Sequence, residues 1–305
     1  MWWSDPWSEA VRSSAVSFER LPPAACEGDE AAACALLGGW FVANGSGSAE
    51  PGPLLVSPKH GRSLAIPDRD AWVSIKGIGW TLGGPRVLCS PKDTEMVFGL
   101  FGRRDAEREI RVSRRFAALG LDMPRVLGLR PLTGPHDGAV YRNGDRVDPV
   151  LLYTRTRCPV RVADLAYYSP AVKASALAAS ARVMGWSDVL TGFCRHLGAT
   201  VGRAHRLGCV NDTLAFDNVT LCAEVVDFEW LFVPGEPLPD GTTDENLLER
   251  QRKEMIYGLE VGCDLAALSG GPRDYAAVHT AFRDGYVSEF PDGEGWLAEL
   301  RASHV

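Results

Sequence analysis

The pattern of apolar residues changes character once along this 305-residue chain, and that change limits the folds open to it. Up to residue 154, short apolar runs broken by Gly and Pro recur at 53–57, 63–66, 72–78, 86–89, 125–129 and 149–154, the signature of strands. From residue 189 onward the spacing becomes helical. Val189, Leu190, Phe193, Leu197, Val201 and Ala204 recur on one helical face behind Ser187, a residue type that suits an N-cap. Leu247, Leu248, Ile256, Leu259 and Leu265 predict another helix, and residues 275–290 a further one. Segments 41–53 and 231–243 read as loops. The expectation is an α+β chain with a strand-rich part over 1–158 and a helical part over 159–305, without internal repeats.

Composition excludes some functions. The net charge is −7, with 39 acidic against 32 basic residues, which argues against a general nucleic-acid binder that gains affinity by neutralising phosphates. The N-terminal residues lack a basic segment followed by an apolar core, and no run reaches membrane-spanning length, so a cytoplasmic protein with no membrane partner is expected. The eight Cys are scattered without a Cys-x-x-Cys pair, consistent with reduced thiols. Of the 32 basic residues only Lys59, Lys76, Lys92, Lys173 and Lys253 are lysines, so a Lys in a chemically suggestive place is informative.

Two such places stand out. Asp217-Asn218 is followed, nine residues after the Asn, by Asp227, and the apolar or β-branched residues in between read as a short hairpin. An Asn and an Asp supply hard oxygen ligands for a divalent cation, and a neighbouring Asp can orient or deprotonate an attacking group, as in kinase-like transferases. Asp-Asn also marks ordinary turns, and that reading stands beside the functional one. Upstream, the strand-like run 72–76 ends on Lys76-Gly77-Ile78-Gly79, a place from which an ammonium group can neutralise phosphate oxygens if an acid fixes it. Glu109, in a segment with Ile110, Phe116, Ala117 and Leu119 as an apolar stripe closed by Gly120, is the natural partner. The alternative is that both are solvated surface charges.

The stretch 108–127 resembles the helix-C region of the selenoprotein O family of kinase-fold protein adenylyltransferases. Lys76-Gly77-Ile78-Gly79 is similar to that family's strand-borne Lys-Gly-x-Gly, His60-Gly61-Arg62 to its preceding Gly-Arg segment, and Asp217-Asn218 with Asp227 to its Asp-Asn and metal Asp. Tyr153-Thr154-Arg155 followed by Arg161 resembles its Thr-Arg segment, with Arg157 as the substitute if the register moves. The likeness spans residues 60–233. It implies a protein-kinase-like bilobal fold, with the helix near 105–120 in a strand-rich N-lobe, a helical C-lobe and an ATP cleft where the lobes meet. It further implies that Asn218 and Asp227 hold Mg²⁺ or Mn²⁺, and that Lys76, aligned by Glu109, neutralises the outer phosphates. Gly77 and Gly79 line the nucleotide, Arg155 and Arg161 grip its phosphates in a reversed pose, and Asp217 serves the acceptor hydroxyl. The implied activity is transfer of AMP from ATP to a hydroxyl of a protein or small molecule. A kinase-fold phosphotransferase and a nucleotide-binding scaffold without turnover are the alternatives.

The same loop tests the ordinary-kinase reading. In the His-Arg-Asp-x-x-x-x-Asn arrangement the catalytic Asp precedes the metal Asn by five positions, and here that position is Thr213. Asp212 is one residue further back and would need a bulge to serve. His205 reads as a helix-end residue favoured by the dipole, and Glu229 stands where a kinase carries the Gly after Asp-Phe. The chain is also shorter than typical family members, has an extra segment over 92–102, and ends without their redox-active Cys or selenocysteine. Trp2, Trp3 and Trp7 are read as packing an N-terminal extension onto the domain.

Overall fold

The computed structural model describes residues 16–20, 40–44, 55–56, 63–68, 71–77, 101–121, 123–131, 148–228, 231–236, 246–271 and 275–296. Gly79, Glu229, the Trp residues near the N-terminus, the run 86–89 and most of the extra segment 92–102 lie outside them. The described chain mixes strands and helices, an α+β composition. It divides into two compact units, one of residues 1–111 and 125–159, the other of residues 112–124 and 160–305.

The first unit is built on an antiparallel sheet whose strands are β3 (Leu55–Val56), β4 (Ser63–Asp68), β5 (Ala71–Lys76), β6 (Phe101–Gly102), β7 (Arg125–Pro131) and β8 (Pro149–Thr156). Their order is β3-β4-β5-β8-β6, and β7 also pairs with β8. Alternation in β5 buries Val73 and Ile75, where they join Val150, Leu151, Leu152, Phe101 and Leu129 in the core. Strands are therefore found at five of the six expected places, and the sixth falls outside the described residues. A separate pair, β1 (Val16–Arg20) and β2 (Trp40–Asn44), runs antiparallel with Val16 opposite Asn44. The loop expected from residue 41 thus begins as a strand. The β-forming Trp40-Phe41-Val42 outweighs the Asn-Gly-Ser turn signal that follows it.

Helix α1 (Arg103–Ala118) enters from β6 and runs out of the first unit into the second. Its buried face carries Asp105, Ala106, Glu109, Val112, Ser113 and Phe116, at the three- and four-residue steps of one helical side. The expected stripe is corrected here: Ala117 is exposed and the acid Glu109 is buried. Arg108 is buried too. Gly120, at φ 71°, ends the helix as expected.

The second unit is helical. Helix α2 (Pro170–Met184) is capped by Ser169, begins on a Pro and stops at Gly185 in the left-handed region (φ 68°). Helix α3 (Val189–Arg206) starts one residue later than Ser187 suggested, because Asp188 is the cap and its Oδ1 accepts the Thr191 amide at 2.7 Å. Helices α4 (Leu247–Leu268) and α5 (Tyr275–Glu289) match the two expected downstream helices. Helices α3 and α5 pack with their backbones almost in contact. A Cβ at Gly198 would stand 2.1 Å from the Phe282 carbonyl oxygen, and one at Gly202 would stand 2.5 Å from that of Tyr286. Between α3 and α4 the chain forms β9 (Val210–Asn211) and β10 (Leu231–Phe232), an antiparallel pair that encloses the loop holding Asp217, Asn218 and Asp227. Phe228 closes that loop against Phe116, ring edge to face at 6.0 Å.

Candidate functional site

In the first unit the structure brings Lys76 and Glu109 together. Lys76 is the last residue of β5, paired with Leu152 of β8 and Ser63 of β4. Its Nζ donates to Glu109 Oε1 at 2.7 Å and lies 4.0 Å from the centre of the Phe101 ring. Coulombic attraction, a charge-assisted hydrogen bond and a cation–π contact therefore fix one ammonium group. The side chain keeps 11% of its surface exposed against 4% for Glu109. Gly77 follows at φ 93°, and a Cβ there would stand 2.4 Å from the Val150 carbonyl oxygen. Packing alone thus requires glycine at this position. Arg155 is half-buried in β8, in register with Val73 on one side and Arg125 on the other.

In the second unit the hairpin read from the sequence is present. Val219 pairs with Val225, the Val226 amide donates to the Asn218 carbonyl at 2.9 Å, and Thr220 and Glu224 close the turn through Ala223 at φ 57°. This register brings Asp227 beside the Asp217-Asn218 pair from the other arm. Asp227 sits at φ 74°, a conformation that costs a non-glycine residue about 1–2 kcal/mol and is found where surrounding contacts enforce it. Asp217, Asn218 and Asp227 are all half-buried.

The Asn218 side chain is oriented on both ends. Its Nδ2 donates to the Thr213 carbonyl at 2.9 Å, so Oδ1 is the atom presented to Arg161, whose Nη1 lies 3.4 Å away. The same Nη1 donates to the Asp217 carbonyl oxygen at 2.6 Å. Arg161 is itself anchored through its backbone, whose amide donates to Asp164 Oδ2 at 2.9 Å and which bridges to Thr220. An amide oxygen and a carboxylate suit Mg²⁺, which uses one or two protein oxygens and completes its octahedron with water and phosphate. Among the described residues no cluster of three or more His, Cys, Asp and Glu could hold a metal, so a cation here would rely on this mixed pair.

Thr213, at the position of the ordinary kinase base, and Asp212, the one carboxylate that a bulge could recruit there, are both committed elsewhere. The Thr213 hydroxyl and amide both donate to Asn211 Oδ1, at 3.0 and 2.8 Å. Asp212 is clasped by Arg250 of α4 through Nε at 3.0 Å and Nη2 at 2.6 Å, the two-pronged geometry of guanidinium and carboxylate.

Sequence reasoning missed what supports this loop from beneath. His205 stands in the last turn of α3, as expected, and is buried there, with Nε2 2.9 Å from Glu254 Oε2 and Nδ1 2.8 Å from the Tyr286 hydroxyl. Glu254 Oε2 also accepts the Asn211 amide at 2.8 Å, and Gln251 Nε2 donates to the His205 carbonyl at 3.0 Å. One proton arrangement satisfies the whole set. Tyr286 donates to Nδ1, the Nε2 proton goes to Glu254, and the Asn211 amide takes the same carboxylate oxygen. Burial, and then Glu254, push the Tyr286 hydroxyl above its ordinary range, which keeps it a donor. The sequence signal was faint: Gln251 and Glu254 fall on the same face of α4 as buried Met255 and Leu259.

No protein-family model matches the chain. No curated protein is significantly similar to it. Among solved structures, the crystal structure of a Stt7 homolog from Micromonas algae soaked with ATP is similar at 17% identity, over 77% of this chain and 75% of that chain, with a TM-score of 0.34. A likeness at that level leaves the chain's own residues to carry any functional reading.

Proposed function

We propose that this protein is a Mg-ATP-dependent transferase of the kinase-like kind, and that it moves AMP rather than phosphate onto an acceptor hydroxyl. The observation that carries the reading is the state of the loop 211–218. Thr213 occupies the place of the kinase base and is hydrogen-bonded to Asn211, while Asp212 is held by Arg250; Asp217 is the loop carboxylate next to the proposed cation ligand. An Asp directly before the cation-ligand Asn is the feature by which the sequence resembles the selenoprotein O family in this loop.

In this reading Asn218 and Asp227 hold the divalent cation, whose chemistry is to neutralise phosphate charge and fix the triphosphate. Lys76, held by Glu109, offers a preset positive charge to phosphate oxygens, so little reorganisation is needed when nucleotide arrives. Arg155 and Arg161 donate to oxygens around the α-phosphate, where planar guanidiniums stabilise charge as it develops. Asp217 takes the proton of the acceptor hydroxyl as its oxygen attacks the α-phosphorus. The bond from that phosphorus to the bridging oxygen breaks, and pyrophosphate leaves. The acceptor is a hydroxyl of a protein or of a small molecule such as a natural product.

Intact-mass analysis of candidate acceptors after incubation with Mg-ATP tests this. Addition of AMP is expected, and Asp217→Asn should slow it by about 10²–10³-fold with nucleotide binding retained. Addition of phosphate would establish the phosphotransferase alternative, which the Lys76–Glu109 pair and the Asn218/Asp227 ligands also suit. Nucleotide binding with no covalent product on any acceptor would mark a binding scaffold.

A further inference from the structure

Resting on that reading, we infer that Arg250 is a positioning residue of the cation site: by clasping Asp212 it fixes the turn that aims the Asn218 side chain. The link runs through one carbonyl. Asn218 Nδ2 donates to the Thr213 carbonyl at 2.9 Å, so the direction of that carbonyl decides where Oδ1 points. Thr213 closes a tight turn, its amide and hydroxyl both donating to Asn211 Oδ1, and Asp212 is the middle residue of that turn. Holding the Asp212 carboxylate therefore holds the turn. The carboxylates of Asp217 and Asp227 supply negative charge to a cation; Arg250 acts on the placing of the amide oxygen beside them.

Helix α4 grips this turn twice from one helical side. Arg250 donates Nε to Asp212 Oδ1 at 3.0 Å and Nη2 to Oδ2 at 2.6 Å, and four residues on Glu254 accepts the Asn211 amide at 2.8 Å. The guanidinium carbon also lies 5.1 Å from the centre of the Phe232 ring, which is buried against Val210 and Leu247. Carboxylate and ring together fix the guanidinium plane. The two grips differ in burial: Glu254 is covered, whereas the Asp212 side chain keeps 33% of its surface exposed and that of Arg250 keeps 12%. An ion pair this open to water adds little to stability, yet loss of a group standing behind a metal ligand changes metal affinity by about 10–100-fold. The pair also departs from the ordinary kinase pattern. Counted back from Asn218, the Arg of His-Arg-Asp is replaced by Asp212, and the guanidinium comes from α4 instead.

The test is a Mn²⁺ titration of the full chain in the presence of a non-hydrolysable ATP analogue, followed by electron paramagnetic resonance. Arg250→Met should weaken Mn²⁺ binding about tenfold. Removal of a positive charge by itself favours a cation, so a loss reports geometry rather than charge. Asp212→Asn, which keeps the side chain's shape, should weaken binding to a similar degree, and the double variant no further than either alone, because all three break one clasp. Arg250→Lys, able to hold a single oxygen, should fall between Arg250→Met and the natural chain. Circular dichroism and denaturant titration establish that the variants fold with nearly natural stability. Natural or tighter Mn²⁺ binding in Arg250→Met, or losses that add in the double variant, would overturn this inference and leave the proposed function standing. Absence of Mn²⁺ binding by the natural chain with the analogue would overturn the cation assignment and this inference with it.

Discussion

Glu109 and Glu254 are both buried acids holding one basic partner, yet they serve different ends because of what surrounds that partner. Lys76, the partner of Glu109, retains part of its surface and lies against Phe101 at a strand end. His205, the partner of Glu254, has none: its side chain is fully covered and both ring nitrogens are engaged. The first pair presents a charge, whereas the second consumes its hydrogen-bonding capacity inside the fold. A buried acid is thus read by following its partner outward. One that leads to a surface is a candidate for chemistry, and one that leads to further buried groups is a candidate for holding backbone in place.

Three experiments bear on that contrast. The largest effect belongs to Glu254→Ala, which leaves His205 and the Asn211 amide without their acceptor in a dry environment. A loss of about 3–5 kcal/mol in unfolding free energy is expected from denaturant titration. A loss under about 1 kcal/mol would mean that water enters and the network carries little. Next comes Glu109→Ala. It should lower turnover by about 10²-fold through a misplaced Lys76, as removal of a preset electrostatic contact does elsewhere. If Glu109→Ala instead cost as much stability as Glu254→Ala and left turnover untouched, the two acids would be alike and the contrast would fail.

The smallest effect at neutral pH concerns the thiols. Burial pushes Cys194 and Cys209 up to about 12, with Cys263 adding to the first and Glu254 to the second. In the unfolded chain a thiol ionises near its ordinary value of 9.0. Between about 9 and 12 the unfolded state therefore holds fewer protons than the native one, and stability falls as pH rises. Below pH 9 these groups add no pH dependence. Unfolding midpoints measured across pH 8–11 check this, with Cys194→Ala and Cys209→Ala flattening the alkaline slope.

Much of the second unit was readable in the chain because its signals are local. Helices α3, α4 and α5 follow from apolar spacing, and the hairpin from Val219-Thr220-Leu221 and Val225-Val226 around a turn. Helix α2 was not anticipated. Its alanines make no stripe and only Ala176, Ala179 and Ser180 are buried, so neither spacing nor hydrophobicity announced it, although Ser169-Pro170 and Gly185 are good end signals. The cap at Asp188 instead of Ser187 is a boundary shift of one residue between two competent caps.

Residue types and their order along the chain determined that a strand would end on Lys76, that an acid-bearing helix would follow, and that Asp217, Asn218 and Asp227 would share one hairpin. These depend on periods of two and 3.6 residues and on turns, which operate over a few positions. Only the tertiary structure decided which groups are spent. Arg250 reaches Asp212 over 38 positions, His205 reaches Glu254 over 49 and Tyr286 over 81, and Arg161 reaches the Asp217 carbonyl over 56. Contacts at such separations arise when helices pack and backbones close up at Gly198 and Gly202, and no local pattern encodes them because the entropy of closing those loops is repaid by the core as a whole.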